Sequence, residues 1–162
     1  MKFATEDDFV EVYGLFKKNR KLLPHIRMGY VAKKIEQRRC IFTDGVVIIF
    51  EIHEKSVQVG KKTKSEKSDC HLNQIVSENR DGSASRVLNQ FFDFIGLLPY
   101  TSGVIHLNVK KDNYLAKKFY ERNGMEVIDK TNWTDGDVEV DVYQKLVKKM
   151  DIEELELNID SD

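Results

Sequence analysis

The run N-Y-L-A-K-K-F-Y-E-R-N-G-M at residues 113–125 most constrains what this chain can fold into, because it lies between two strand-like stretches, Gly103–Val109 and Glu126–Asp129. Asp112 or Asn113 can accept a hydrogen bond from a first-turn amide and so start a helix. Leu115, Phe119 and Tyr120 follow at helical spacing, one above another. Gly124 offers the left-handed residue on which helices commonly end. The segment reads as a helix that turns straight back into a strand.

The rest of the chain alternates in the same way. Met1–Thr5 reads as a short strand, and Thr5 with Asp8 has the form of a capping box. Phe9, Val12, Tyr13 and Phe16 recur at i, i+3, i+4 and i+7, a helix stripe broken by Pro24, and Met28, Val31 and Ile35 mark a second short helix. Cys40–Thr43 and Val46–His53 flank Asp44-Gly45, a strong hairpin signal. Ser56–Gly60 reads as a third sheet strand, Lys61–Lys67 as a charged loop without core residues, and Cys70–Ser77 as a strand with a polar interior. Ala84–Ile95 is a helix with Val87, Leu88, Phe91 and Ile95 inward, and Val138–Leu146 is the last strand. The order β-α-α-β-β-β-α-β-α-β-β predicts one mixed α/β domain over residues 1–147.

A chain of 162 residues has room for one such core, and 41% apolar with 33% charged residues is the makeup of a soluble globular protein. The N-terminus lacks the apolar region of a signal peptide, and Cys40 and Cys70 have neither disulfide nor metal-ligand spacing. These features predict a cytoplasmic protein with no metal and no membrane segment. Residues 148–162 form an acidic tail carrying all six acids of 150–162 (Asp151, Glu153, Glu154, Glu156, Asp160, Asp162), and Ile152, Leu155, Leu157 and Ile159 predict that it docks in part. Setting those six aside leaves 26 Lys and Arg against 21 Asp and Glu, a mildly basic body.

A second element lies between Cys70–Ser77 and the following helix. Asn79-Arg80-Asp81-Gly82-Ser83-Ala84 is a loop whose small residues leave successive amides uncovered at a helix start, an arrangement that suits a pyrophosphate. With the 113–125 run and the element order, it resembles the GCN5-related N-acetyltransferase (GNAT) superfamily, whose loop signature is [Q/R]-x-x-G-x-[G/A]. Gly82 and Ala84 keep that pattern, while Asn79 departs from it and Arg80 can take its place. The resemblance implies a central mixed, mostly antiparallel twisted sheet of about six or seven strands flanked by about four helices, with the fourth and fifth strands splayed. It implies acetyl-CoA, or another acyl-CoA, as the donor. Gln74, Ile75 and Val76 would line the pantetheine arm, and Asn79, Arg80, Asp81, Gly82, Ser83, Ala84, Ser85 and Arg86 would hold the pyrophosphate. Asn113, with Ala116 and Phe119 on the same helix, would face the pantetheine side, and Tyr120 the sulfur.

The implied chemistry is attack of a primary amine on a thioester, which requires a deprotonated amine, a steadied oxyanion and a leaving thiolate. Backbone donors near Ile75 and Val76 suffice for the oxyanion. Tyr120 is expected to hydrogen-bond the thiolate, or to relay a proton once its own pKa is lowered. Candidates for the base are His71 and Asn73, Glu51 and His53, and Glu78, with His71 the first choice. Lys21, His25, Arg27, Tyr30 and Lys34 form a cationic, aromatic-dotted surface that suits an anionic acceptor, or a solvated helix face. The reading is an N-acyltransferase acting on a small-molecule or protein amine. Two alternatives stay open: an enzyme of this type that modifies a nucleobase in DNA, and a degenerate module that binds acyl-CoA or a partner. Many members of the superfamily form homodimers, but nothing in the sequence selects an interface.

Overall fold

Asp44 and Gly45 both adopt positive φ, 52° and 74°, the geometry that joins two right-twisted strands through a two-residue turn. In the computed structural model, which describes residues 1–133 and 136–150, this turn links β1 (Cys40–Thr43) to β2 (Val46–Ile52). The register runs from Cys40↔Ile49 to Thr43↔Val46. The first five residues of β2 are buried, as an interior strand covered on both faces requires. The remaining elements are β3 (Val57–Gln58), β4 (Lys64–Ser65), β5 (Cys70–Ser77), β6 (Val104–Lys110), β7 (Glu126–Trp133) and β8 (Val138–Leu146), with helices α1 (Phe9–Lys18), α2 (Met28–Glu36), α3 (Ser83–Leu97) and α4 (Tyr114–Arg122). Six strands form a mixed sheet in the order β1-β2-β5-β6-β8-β7, and β3 pairs with β4 in a separate ribbon.

The residues group into two compact units. The first holds Met1–Glu51 and Leu72–Gln90, the second Ile52–His71 and the chain from Phe91 onward. In the first, Val12, Leu15 and Phe16 of α1 and Val31 and Ile35 of α2 join Cys40, Val47, Ile49 and Val76 in one apolar cluster. In the second, Ile105, Leu107 and Val109 of β6, Tyr120 and Met125, and Val140, Val142 and Tyr143 of β8 are buried. β6 pairs antiparallel with β8 over Val104–Lys110, whereas its parallel ladder with β5 comprises only Cys70↔Ile105 and His71↔His106. The two parallel strands then part, which is the expected splay.

Several expectations change. Met1–Thr5 is not a strand: Phe3 makes one isolated bridge to Ile41, although the Thr5–Asp8 capping box forms. Ser56–Gly60 does not join the main sheet, because Val57 and Gln58 pair with Ser65 and Lys64. The 61–67 segment is therefore partly a strand, and it has a core residue after all, Ser65 at 0% exposure. Residues 148–150 dock: Lys149 Nζ donates to the carbonyls of Ile95 and Leu98 and to Thr101 Oγ1, closing the C-terminal end of α3. The acidic residues of the tail and the docking expected from Ile152, Leu155, Leu157 and Ile159 lie outside the described residues.

Candidate active site

In the first unit, β5 runs into an exposed loop and then α3. Asn79, Arg80, Asp81 and Gly82 are exposed, and among the described residues the amides of Arg80 and Gly82 donate to no protein group. Gly82 has φ +89°, and a Cβ there would meet nothing within 4 Å. The glycine thus serves backbone conformation, and close packing plays no part. Ser83 is buried, and both its amide (3.0 Å) and its hydroxyl donate to Asp81 Oδ1. These hydrogen bonds hold the Asp81 carboxyl below its ordinary pKa, with Arg86 a smaller cause. Arg86 pairs with Asp44 at 3.5 Å, and the Ser77 hydroxyl bonds both the amide and the carbonyl of Asn79. Exposed amides and two arginines fit an anion, while the Asp81 charge at the helix start opposes one.

On the same unit, a chain of polar side chains crosses from α2 to β2 and β5. Tyr30 Oη donates to Gln74 Oε1 at 2.8 Å and accepts from Asn73 Nδ2 at 3.0 Å. Asn73 Nδ2 also donates to Glu51 Oε1 at 3.0 Å, and Lys34 Nζ reaches the same oxygen at 2.9 Å. Burial pushes the Tyr30 phenol pKa up, against the lowering effect of its amide partners. Gln74, expected to face the pantetheine arm, therefore has its side-chain carbonyl engaged by Tyr30. Tyr30 and Lys34 are not part of the outer cationic surface either, since Lys34 is only 9% exposed. Their i, i+4 spacing beside the buried Val31 and Ile35 was the available signal. What remains outside is Lys17, Lys18, Arg20, Lys21, His25, Arg27 and Lys33, in a stretch with no acid between Glu11 and Glu36. Residues Lys17–Leu22 line an open cleft of about 520 Å³.

In the second unit, Asn113 caps α4 by accepting from the Ala116 amide at 3.2 Å, which leaves its NH₂ group as the side-chain donor. Gly124 N donates to Glu121 O and Met125 N to Tyr120 O, the paired bonds of a left-handed helix exit. Ala116 and Phe119 are half-buried, and Phe119 meets Tyr120 edge-on at 5.3 Å. Tyr120 is 8% exposed and packs 6.2 Å from the ring of Tyr143. Burial raises the Tyr120 pKa well above its ordinary value, the opposite of what proton relay at neutral pH needs. The phenol stays protonated, and among the described residues no group is shown that lowers its pKa as the relay expectation requires.

His71 is half-buried on β5 and keeps company that sequence reading did not assign. Its ring lies 6.0 Å from that of His53, and the parallel ladder pairs it with His106. His106 Nδ1 is 3.4 Å from Ser65 Oγ, and its Nε2 is 3.1 Å from Gln144 Nε2. Asp69 accepts from Ser102 Oγ at 2.6 Å and from the Glu66 amide at 2.7 Å. Burial lowers the His106 pKa; Asp69 opposes that and His53 adds to it. His71 thus neighbours His53 by ring contact and His106 by strand pairing, and Asp69 acts on His106, a grouping of residues too far apart in sequence to signal it. Both cysteines are buried thiols, with Cys40 pushed up to about 12 by burial. Among the described residues, no group of three or more His, Cys, Asp or Glu could hold a metal ion, and no helix is long and apolar enough to cross a membrane.

Comparison of the sequence with family models and with curated proteins finds no match. Comparison of the fold does. Ard1 from Thermoplasma volcanium superposes with a TM-score of 0.69 at 14% identity, covering 92% of this chain and 97% of that one. The ribosomal-protein-S18-alanine N-acetyltransferase from Escherichia coli gives 0.64 at 14% identity, covering 93% and 95%. Arabidopsis thaliana Naa50, in complex with the bisubstrate analogue CoA-Ac-MVNAL, gives 0.60 at 16% identity, covering 89% and 95%. The chain has the fold of the GCN5-related N-acetyltransferase superfamily.

Proposed function

We propose that this protein is an acyl-CoA-dependent N-acyltransferase, with acetyl-CoA as donor and a primary amine as acceptor. The observation that carries the reading is the parting of β5 from β6 after His71, in a fold whose similar solved structures are N-acetyltransferases. A strand released from its ladder offers backbone amides and carbonyls to an extended ligand arm. Bound acetyl-CoA supplies an activated acyl group on sulfur. The residues of the chain would then divide the work. Arg80, Arg86 and the amides of Arg80 and Gly82 would hold the diphosphate, with Ser83, Ala84 and Ser85 opening the helix behind them. Ile75 and Val76 would present backbone donors to the acyl oxygen, and Gln74 would flank them. Asn113 would offer its NH₂ to the pantetheine side, Ala116 and Phe119 would shape that side, and Tyr120 would donate a hydrogen bond toward sulfur. His71, half-buried beside His53, would be reached through other side chains or water, while Glu78 and the partly exposed Glu51 are carboxylates in reach of water.

The acid-free stretch from residue 12 to 35 favours an acceptor whose amine is carried on an anionic scaffold, an acidic peptide above all, because two of the similar structures are named for peptide or protein substrates. Calorimetric titration with acetyl-CoA, with ATP as the control, tests the cofactor assignment. The expected result is saturable binding that needs the pantetheine arm and is lost in Gly82→Glu. Equal binding of ATP, or full binding by Gly82→Glu, would sink the loop assignment.

A further inference from the structure

The segment between β2 and β5 is tied down at two places, and the ties differ in kind. At its tip, Lys62 N and Thr63 Oγ1 donate to Asp129 Oδ2 at 2.8 and 2.7 Å, and Lys61 N donates to Lys130 O at 2.8 Å. At its root the tie runs through an imidazole. Gln144 Nε2 lies 3.1 Å from His106 Nε2, so the amide donates and that ring nitrogen accepts. The proton of His106 is then on Nδ1, 3.4 Å from Ser65 Oγ, and Ser65 in turn donates to Asp69 Oδ2 at 3.4 Å. The Glu66 amide and Ser102 Oγ also donate to that carboxylate, at 2.7 and 2.6 Å. Ser65, Asp69 and His106 are all buried. The hydrogen bonds therefore run one way, from Gln144 to Asp69, and hold only while His106 is neutral. A second proton, on Nε2, faces the NH₂ group of Gln144, donor against donor.

The surroundings do not ease that conflict. His71 stands beside His106 on the parallel ladder, and the His53 ring lies 6.0 Å from that of His71. His53 Nε2 is buried and has no hydrogen-bond partner among the described residues. The titratable groups around His106 are thus His71 on β5 and His53 and Asp69 in the segment, with Lys64, Glu66 and, across from Gln144 on β7, Glu126 exposed at the margin. Burial disfavours an imidazolium most, Asp69 favours one and His53 disfavours it, which leaves the His106 pKa below its ordinary value. We propose that the root of this segment is a proton-operated latch: one proton taken up by His106 breaks the Gln144–His106–Ser65–Asp69 run and lets residues 65–69 lift from β6, while the tip stays clamped to β7. The proton adds to the Nε2 lone pair, no other covalent bond changes, and it returns to solvent when the pH is restored. The latch closes where the β5–β6 ladder ends, at His71↔His106. It is a property of the fold and stands whether or not the chain transfers acyl groups.

Amide hydrogen exchange of the ¹⁵N-labelled full chain between pH 7.5 and 5, corrected for the intrinsic rate, tests the latch. The root amides are those of Glu66, Asp69 and Ser102, bonded to Asp69 Oδ2, Glu66 O and Ser68 O. Their opening should rise roughly tenfold per pH unit below about 6.5, down to the folded pKa of His106, while the tip amides of Lys61 and Lys62 stay flat. The ¹⁵N shifts of His106 should report the Nδ1–H tautomer at pH 7.5. Gln144→Glu gives the second proton an acceptor, so its root amides should stay flat. His106→Asn takes up no proton and should be flat as well. Where either variant fails to fold, the other variant and the contrast between root and tip in the wild type still decide. Flat root amides in the wild type, as a turned-over Gln144 amide would give, overturn the latch. So do root and tip opening together, an Nε2–H tautomer, or a Gln144→Glu profile like that of the wild type.

Discussion

Removing the charge of Glu51 while keeping its shape should destabilise the protein through Lys34. The pair is 2.9 Å apart, with Lys34 at 11% side-chain exposure and Glu51 at 41%. Breaking a fully enclosed pair costs about 3–5 kcal/mol, because one charge is left buried, whereas exposed pairs contribute about 0.2–1 kcal/mol. Half of this pair is in reach of water, so Glu51→Gln should cost about 2 kcal/mol. That corresponds to a fall of about 4–8 °C in Tm for a chain of this size. Lys34→Met should cost less, about 1 kcal/mol, since Glu51 can hydrate and keeps the Asn73 hydrogen bond at 3.0 Å. The double variant should lose little more than Lys34→Met alone, giving a coupling of about 1–2 kcal/mol in urea unfolding. Additive losses, with no coupling, would refute the claim that the two charges depend on each other.

Further expectations follow from individual groups. Burial holds the His106 pKa below its ordinary 6.5, so as pH falls the unfolded chain is protonated first. Stability should be whole above about pH 6.5 and decline as pH drops through the folded pKa; His106→Asn should flatten that limb in a pH series of urea midpoints. Tyr120 and Tyr143 are shifted the other way, mainly by burial, so stability should be lost as pH rises above about 10, and Tyr120→Phe should reduce that loss. The same variant should lower turnover about tenfold with an unchanged pH profile between 6 and 9, and a displaced profile would restore the relay role to Tyr120. Asp81→Asn keeps an oxygen for Ser83 to donate to but removes a negative charge from the start of α3. CoA should bind roughly threefold more tightly, with a larger gain at low salt, and weaker binding would show that the carboxylate supports the loop more than it repels the anion.

Local patterns were legible wherever a short stretch decides its own conformation. The Asp44-Gly45 turn, the Thr5–Asp8 capping box, the Asn113 cap and the Gly124 exit all formed where the residues placed them. So did β5 at Cys70–Ser77 and β8 at Val138–Leu146, the former because its flanking turns are strong and the latter because its apolar alternation is long. The strand read at Ser56–Gly60 went astray because two residues of extended chain find their partner in space, here Ser65 and Lys64. Leu115 shares helical spacing with Phe119 and Tyr120 yet is 78% exposed, because spacing gives a face and leaves open what lies opposite it.

The candidate site divides along the same line. Gly82, Ala84, Asn113 and Tyr120 could be named from sequence, since each is tied to a turn or cap that its neighbours dictate. Their state could not. That Tyr120 is enclosed and kept protonated, that Asp81 folds onto Ser83, and that Glu51 is gripped by Lys34 and Asn73 depend on groups brought together from distant positions. Hydrogen bonding, capping and turn geometry act over a few residues and are written in the order of the chain. Desolvation and charge pairing act through space, so only the tertiary structure could decide which carboxylate, phenol or imidazole is poised for chemistry.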